Sequence, residues 1–199
     1  MPKILERGGP VAVEDVLAFL GAVDAELARH AGAGETLDLY LLGRSALILG
    51  YGVQLMTKDV DIVDVAGSRL LKIAIDRFGK DNPGRAAHHF YLEAVSSGLP
   101  PLPIGYQGRC ADVPGPWRII RPKRPEAHDL IVTKLRRFHQ GDREDVRILC
   151  DTGDVEVAIL RERFDLAYTF SDPDDPKTAA AFGNLEAVAD YLDGRRRTL

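Results

Sequence analysis

The sequence predicts an α+β (α/β-like) fold: a small mixed sheet flanked by helices, followed by a C-terminal helical extension. Three observations predict it. Short apolar runs of strand length alternate with helical-period segments as far as residue 125. Glycine and proline clusters punctuate that alternation at Gly32 and Gly34, at Gly50 and Gly52, and at Asn82-Pro83-Gly84. Beyond Pro125 the apolar spacing is helical. The expected organisation is an α/β core over residues 1–125 and a helical part over 126–199, packed together as one compact unit.

Along the chain, Val16, Leu17, Phe19, Leu20, Val23 and Leu27 recur at helical spacing and predict an amphipathic helix over Val13 to His30. Leu37 to Leu42 is a compact apolar run, read as a buried strand. Gly43 then opens a short helix, Ser45 to Leu49, that closes at Gly50 and Gly52. Asp59 to Val65 alternates charged and β-branched residues and reads as a second strand. Leu70, Leu71, Ile73, Ala74, Ile75 and Phe78 mark another helix, stopped at Gly79. Phe90 to Val95 is a third strand, preceded by His88 and His89, which read as surface or packing histidines because neighbours on a strand face opposite ways. Leu99 to Pro103 is a loop. Two short strands are expected near Arg109–Val113 and Trp117–Ile120, joined at Pro114-Gly115-Pro116. Leu130, Ile131, Leu135 and Phe138 form one helical face, Val146, Ile148, Leu149 and Cys150 the next, and Glu186 to Leu192 a last helix.

Composition narrows the class. The chain has 199 residues, 45% hydrophobic and 28% charged, which is ordinary globular usage. No apolar run approaches the roughly 18 residues of a membrane span. Met1 to Arg7 turns polar too early for a signal peptide. With Cys110 and Cys150 at no metal-site or disulfide spacing, two reduced thiols in a cytoplasmic protein are expected. Net charge is −4, so no global basic field attracts nucleic acid. Charge is nevertheless uneven. Cations gather at Arg118, Arg121, Lys123 and Arg124, and acids around Asp59 to Asp64. Each cluster is either a solvated face or half of a basic rim facing an acidic metal centre.

The chemistry concentrates in Gly43-Arg44-Ser45 and, after a short helix, Thr57-Lys58-Asp59-Val60-Asp61. Side chains at i and i+2 of a strand share a face, so Asp59 and Asp61 would lie together. Paired carboxylates repel when ionised, and a divalent cation relieves that cost; hard oxygen donors suit Mg²⁺ or Mn²⁺. A glycine between strand and helix lets backbone N–H groups approach a phosphate, and Ser45 adds a hydroxyl. Glu93 is the one acid within the third strand. It completes the metal site or is an exposed strand residue.

In order and spacing these segments resemble the nucleotidyltransferase superfamily, whose pattern is an apolar-Gly-(Gly/Ser) turn followed by Asp-x-(Asp/Glu). Gly43-Arg44-Ser45-Ala46-Leu47 and Thr57-Lys58-Asp59-Val60-Asp61 look closest to nucleotidyltransferase-like proteins related to bacterial abortive-infection toxins. A second stretch is similar too: Asp129 to Arg137, with its internal Lys134-Leu135, then Gly141-Asp142-Arg143-Glu144-Asp145-Val146. The resemblance implies the nucleotidyltransferase fold, with Asp59, Asp61, Lys134 and Asp145 catalytic and Asp59, Asp61 and Glu93 holding Mg²⁺ or Mn²⁺. It also implies that Gly43, Arg44, Ser45 and Thr57 cradle a nucleoside triphosphate. The implied acceptors are an RNA such as tRNA, a protein or a small-molecule hydroxyl, with an antitoxin as partner. Asp142 reads first as a helix N-cap.

One position departs from the family. Arg44 stands where a second glycine is usual, where it either obstructs the phosphate or binds it through its guanidinium. A non-catalytic binding or regulatory module of the same fold is the alternative reading. A dehalogenase-type phosphatase expects Thr where Val63 stands, and an Asp-x-Asp glycosyltransferase needs a larger chain.

Overall fold

The computed structural model describes residues 9–64, 67–82, 90–96, 101–152 and 154–199. Their contacts divide the chain into two compact units, Met1–Val95 with Ala111–Arg124, and Ser96–Cys110 with Pro125–Leu199. His88 and His89 lie outside the described residues.

The first unit contains α1 (Val13–Leu27), β1 (Leu37–Tyr40), α2 (Gly43–Tyr51), β2 (Asp59–Val63), α3 (Arg69–Phe78), β3 (Tyr91–Val95), β4 (Ala111–Asp112) and β5 (Ile120–Arg124). β1 pairs in parallel with β5, which pairs antiparallel with β4. β2 and β3 form a parallel pair. An antiparallel bridge between Leu41 and Ile62, with Leu42 N–H donating to Asp61 O at 2.8 Å, joins the two pieces of this small mixed sheet.

That register gives the sheet two chemically distinct faces. Leu37, Leu39, Leu41, Val60, Ile62, Leu92 and Ile120 are buried on one. α1 packs on α2 and α3, which in turn pack on β2 and β3. Phe19 of α1 is fully buried, edge-on to Phe78 at 5.8 Å and tilted to Phe90 at 5.7 Å. Burial of such a ring stabilises by about 1.5–3 kcal/mol. The alternate residues Asp38 and Tyr40, Arg121 and Lys123, Asp59 and Asp61, and Glu93 lie on the other face.

β5 begins three residues later than Trp117, where the apolar pattern starts it. Asp24 of α1 explains the start. Its buried carboxylate accepts the N–H groups of Arg118, Ile119 and Ile120 at 2.8–3.2 Å, so these donors are taken by a side chain, while the Ile119 carbonyl already accepts Leu37 N–H at 2.8 Å. Pro122 sits inside the strand without an N–H to give. It still accepts from Val113 N–H at 2.8 Å, and the Val113 carbonyl takes the Trp117 indole N–H at 2.8 Å instead.

The second unit contains a 3-10 turn (Tyr106–Arg109) and α4 (Ala127–Leu135), α5 (Gln140–Thr152), α6 (Val157–Tyr168) and α7 (Pro176–Leu192). α4 is its centre, packed on α5, α6 and α7 and buried on nearly all sides, so that its His128, Asp129 and Lys134 are buried along with its apolar residues. Arg109 ties the turn to α4 through both oxygens of the fully buried Asp129, at 3.0 and 3.1 Å. Phe164 stacks on Tyr168 at 4.2 Å and meets Phe182 edge-on at 4.7 Å, closing α6 on α7. α7 is longer than the expected Glu186–Leu192, because Asp175 caps it through Lys177 N–H and Pro176 stands at its first turn.

Candidate active site

β2 alternates as far as Ile62: Val60 and Ile62 are buried in the core while Asp59 and Asp61 project from the opposite face. Parallel pairing sets Glu93 of β3 directly opposite Asp61. The three carboxylates each offer an oxygen, and these oxygens lie within 4.8 Å of one another. Like charges that close repel unless a cation sits among them. All donors are hard oxygens, and a Mg²⁺ shell with bonds of about 2.0–2.1 Å separates its ligands by about 3–4 Å, so the group fits Mg²⁺ or Mn²⁺. The Thr57 hydroxyl points to Asp59 Oδ1 at 2.7 Å and to the Asp59 carbonyl at 3.1 Å, which fixes the orientation of this carboxylate.

Gly43 stands against Asp61. Its φ of 59° lies in the left-handed region, and a Cβ built there would overlap Asp61 Oδ2 and come within 3.1 Å of Cγ. Only glycine meets both conditions. α2 starts at this residue with no side-chain cap, so the positive end of the helix opens beside the carboxylates. The two other turn residues bind their own chain. Arg44 Nη1 donates to Met56 O at 3.0 Å, tying α2 to the segment that enters β2. Ser45 is 1% exposed and its hydroxyl donates to Leu42 O at 2.9 Å, bracing the turn from below.

Lys134 and Asp145 belong to the second unit, on α4 and α5. They form a buried pair at 2.7 Å, Lys134 being 7% exposed, with Asp142 at 3.9 Å from the ammonium. Asp142 also takes the Arg137 guanidinium through two bonds of 2.9 Å. Burial pushes its carboxyl up, but Arg137, Lys134 and His139 outweigh this and hold it below the usual range. Its capping role differs from the expected one. His139 is the residue at the helix start, its carbonyl accepting Arg143 N–H at 3.0 Å, and Asp142 reaches back to His139 N–H at 3.3 Å as the third-position acid of a capping box.

The residues that sequence reasoning passed over near the carboxylates are Tyr40 and, as individuals, Arg121 and Lys123. The signal was the alternation Ile120-Arg121-Pro122-Lys123, whose meaning depends on the partner strand.

A family model described as a nucleotidyltransferase of unknown function (DUF6036) matches residues 18–185, a span from α1 into α7. No curated protein and no solved structure matches the chain. Among the described residues no helix is long and apolar enough to cross a membrane.

Proposed function

Since the chain belongs to the DUF6036 nucleotidyltransferases, we propose that it moves a nucleoside monophosphate from a nucleoside triphosphate to a hydroxyl group, with Asp59, Asp61 and Glu93 holding Mg²⁺ or Mn²⁺. The observation that carries this reading is the meeting of the Gly43 turn with Asp61 inside a cluster of three carboxylates. When bound, the ion supplies Lewis-acid stabilisation of charge building on the phosphoryl oxygens.

The chain's own residues do the rest. The α2 N-terminus at Gly43 binds and orients the triphosphate tail. Arg44, held on Met56 O, stands at the mouth of that turn as a second cation for phosphate. Thr57 keeps Asp59 in its ligating orientation. The acceptor oxygen forms a bond to the α-phosphorus as the bond from that phosphorus to the bridging oxygen breaks. Pyrophosphate leaves with the electron pair, and the hydroxyl proton passes to the carboxylate of Glu93, the most exposed of the three. Lys134 and Asp145, to which the motif likeness gives a catalytic part, form a preformed charged pair within the helical unit. Likeness of the motifs to abortive-infection toxins supports tRNA or a protein as acceptor, an antitoxin as partner and a cytoplasmic setting.

Titration calorimetry with each ribonucleoside triphosphate, in Mg²⁺ and in Mn²⁺, tests the reading on wild type and on Asp59→Ala/Asp61→Ala. Metal-dependent binding that the variant abolishes is expected. A folded wild type that binds no nucleotide points instead to a non-catalytic module of the same fold.

A further inference from the structure

The face of the sheet that carries the carboxylates continues past them. Extending the Leu41–Ile62 register sets Tyr40 opposite Val63, one two-residue step from Asp61, with Lys123 beside Tyr40 and Arg121 beside Asp38. With strands about 4.8 Å apart and about 6.7 Å per two-residue step, the Cα atoms of Lys123 and Arg121 lie about 12 and 16 Å from that of Asp61. Val63 and Tyr91 are buried members of the face, Tyr40 and Lys123 are half-buried, and Asp38 and Arg121 are exposed.

In-line displacement puts the attacking hydroxyl and the departing pyrophosphate on opposite sides of the α-phosphorus. The α2 N-terminus, beyond the end of β1, takes the pyrophosphate side. The acceptor therefore comes over the part of the face that leads back toward the start of β1, and this is where Tyr40, Lys123 and Arg121 stand. We propose that the acceptor is the end of a nucleic-acid strand, with Arg121 and Lys123 holding its backbone phosphates and Tyr40 offering a ring to a base.

The charges fit that assignment. Among the described residues Arg121 makes no ion pair, although Asp38 is its register partner. Among the described residues the Lys123 ammonium makes its one ion pair with Asp112, at 2.7 Å, and Asp112 is 79% exposed, so a phosphate displaces it at little cost. The Asp112 bond raises the Lys123 ammonium above its ordinary value against the effect of burial, with Asp38 and Tyr40 adding to the rise, so Lys123 carries its full charge at neutral pH. Two cations in a row, with Cα atoms about 12 and 16 Å from that of Asp61, suit successive phosphates of a chain better than one small acceptor. The strand's terminal hydroxyl oxygen gains the α-phosphorus, pyrophosphate departs with the electron pair, and the proton leaves through the carboxylate cluster.

This inference rests on the nucleotidyl-transfer reading above, and one experiment separates the two. The full chain is titrated into a fluorescently labelled single-stranded RNA of about 12 nucleotides. Anisotropy is followed from about 50 to 200 mM salt, and Mg²⁺-dependent triphosphate binding is measured on the same samples. Arg121→Gln/Lys123→Gln is expected to lower RNA affinity about tenfold and to flatten the log–log salt slope by about 1.4, at 0.7 per single-strand phosphate contact. Asp112→Asn frees Lys123 and is expected to tighten RNA binding about twofold, a gain that misfolding cannot imitate. Triphosphate binding persists in each. If wild type ignores RNA, or if neither variant changes its binding, the nucleic-acid acceptor is overturned while the transfer reading stands, and an acidic protein or small molecule takes its place. Loss of triphosphate binding by wild type overturns the transfer reading and this inference with it.

Discussion

Gly43 and Asp61 share one space: a Cβ on the glycine would overlap the carboxylate oxygen, at a backbone φ of 59° that side chains rarely adopt. Gly43→Ala must therefore displace Asp61 or unwind the first turn of α2. We expect a loss of about 1–3 kcal/mol in stability and loss of metal-dependent triphosphate binding, read by denaturant titration and calorimetry on the same sample. Unchanged nucleotide binding in Gly43→Ala would separate the turn from the site.

Thr57 acts through Asp59. Removing its hydroxyl in Thr57→Val leaves the carboxylate free to rotate, and Mn²⁺ affinity is expected to fall about 10- to 100-fold. Thr57→Ser keeps the donor and is expected to retain most of the affinity. Equal affinity in Thr57→Val and wild type, followed by the paramagnetic effect of Mn²⁺ on water relaxation, would remove Thr57 from this role.

Lys134 and Asp145 form a pair that water hardly reaches. Lys134→Ala takes the ammonium away from the buried Asp145, while Asp142 keeps Arg137, and a cost of about 3–5 kcal/mol is expected by denaturant unfolding. Lys134→Met combined with Asp145→Leu is expected to recover most of it. If the double variant is stable yet turns over no triphosphate, the pair serves the reaction as well as the fold.

His128 sets a pH limit on the helical unit. Its Nε2 accepts Glu156 N–H at 3.0 Å at the start of α6, so the neutral ring carries its proton on Nδ1, which is buried with no hydrogen-bond partner among the described residues. Burial holds the imidazole below its ordinary value, Glu126, Asp129 and Glu156 opposing this and Arg163 reinforcing it. A histidine depressed in the folded state contributes fully above the unfolded value of about 6.5. That contribution falls as pH drops from about 6.5 toward the folded value, and levels off below it. Melting temperature from pH 7.5 to 5 is expected to fall less in His128→Gln, which keeps an acceptor for Glu156 N–H and has no proton to gain. Parallel curves for the two would exclude His128.

Legibility in the sequence followed how local each feature was. β1, α2 and β2 were readable because a compact apolar run, a Gly-x-Ser turn and an Asp-x-Asp alternation each span fewer than ten residues. Asp59 and Asp61 followed from strand parity alone, whereas the place of Glu93 needed the parallel pairing of β3 with β2. β5 was set too early because Trp117 and Ile119 look like strand and Pro122 looks like a stop. What lets the proline stay is the Trp117 indole on the Val113 carbonyl, and no period reveals that bond. α6 went unread because Leu160, Phe164 and Tyr168, a stripe at spacing four, are interrupted by Arg161, Glu162 and Arg163. The common face of Tyr40, Lys123 and Asp61 depends on three strands at once.

The Asp24 carboxylate clasps backbone groups 94 to 96 residues further along the chain. During synthesis Asp24 is therefore made long before the segment it anchors, and β1 waits as an unpaired edge until β5 is translated and slides in beside it. At about 5–20 residues per second that wait is several seconds, and pairing of strands so distant in sequence is slow in itself. The newborn chain passes through a stage in which the carboxylate strand exists without its completed sheet, and that stage is where a chaperone, or a partner able to lend a strand, would find it.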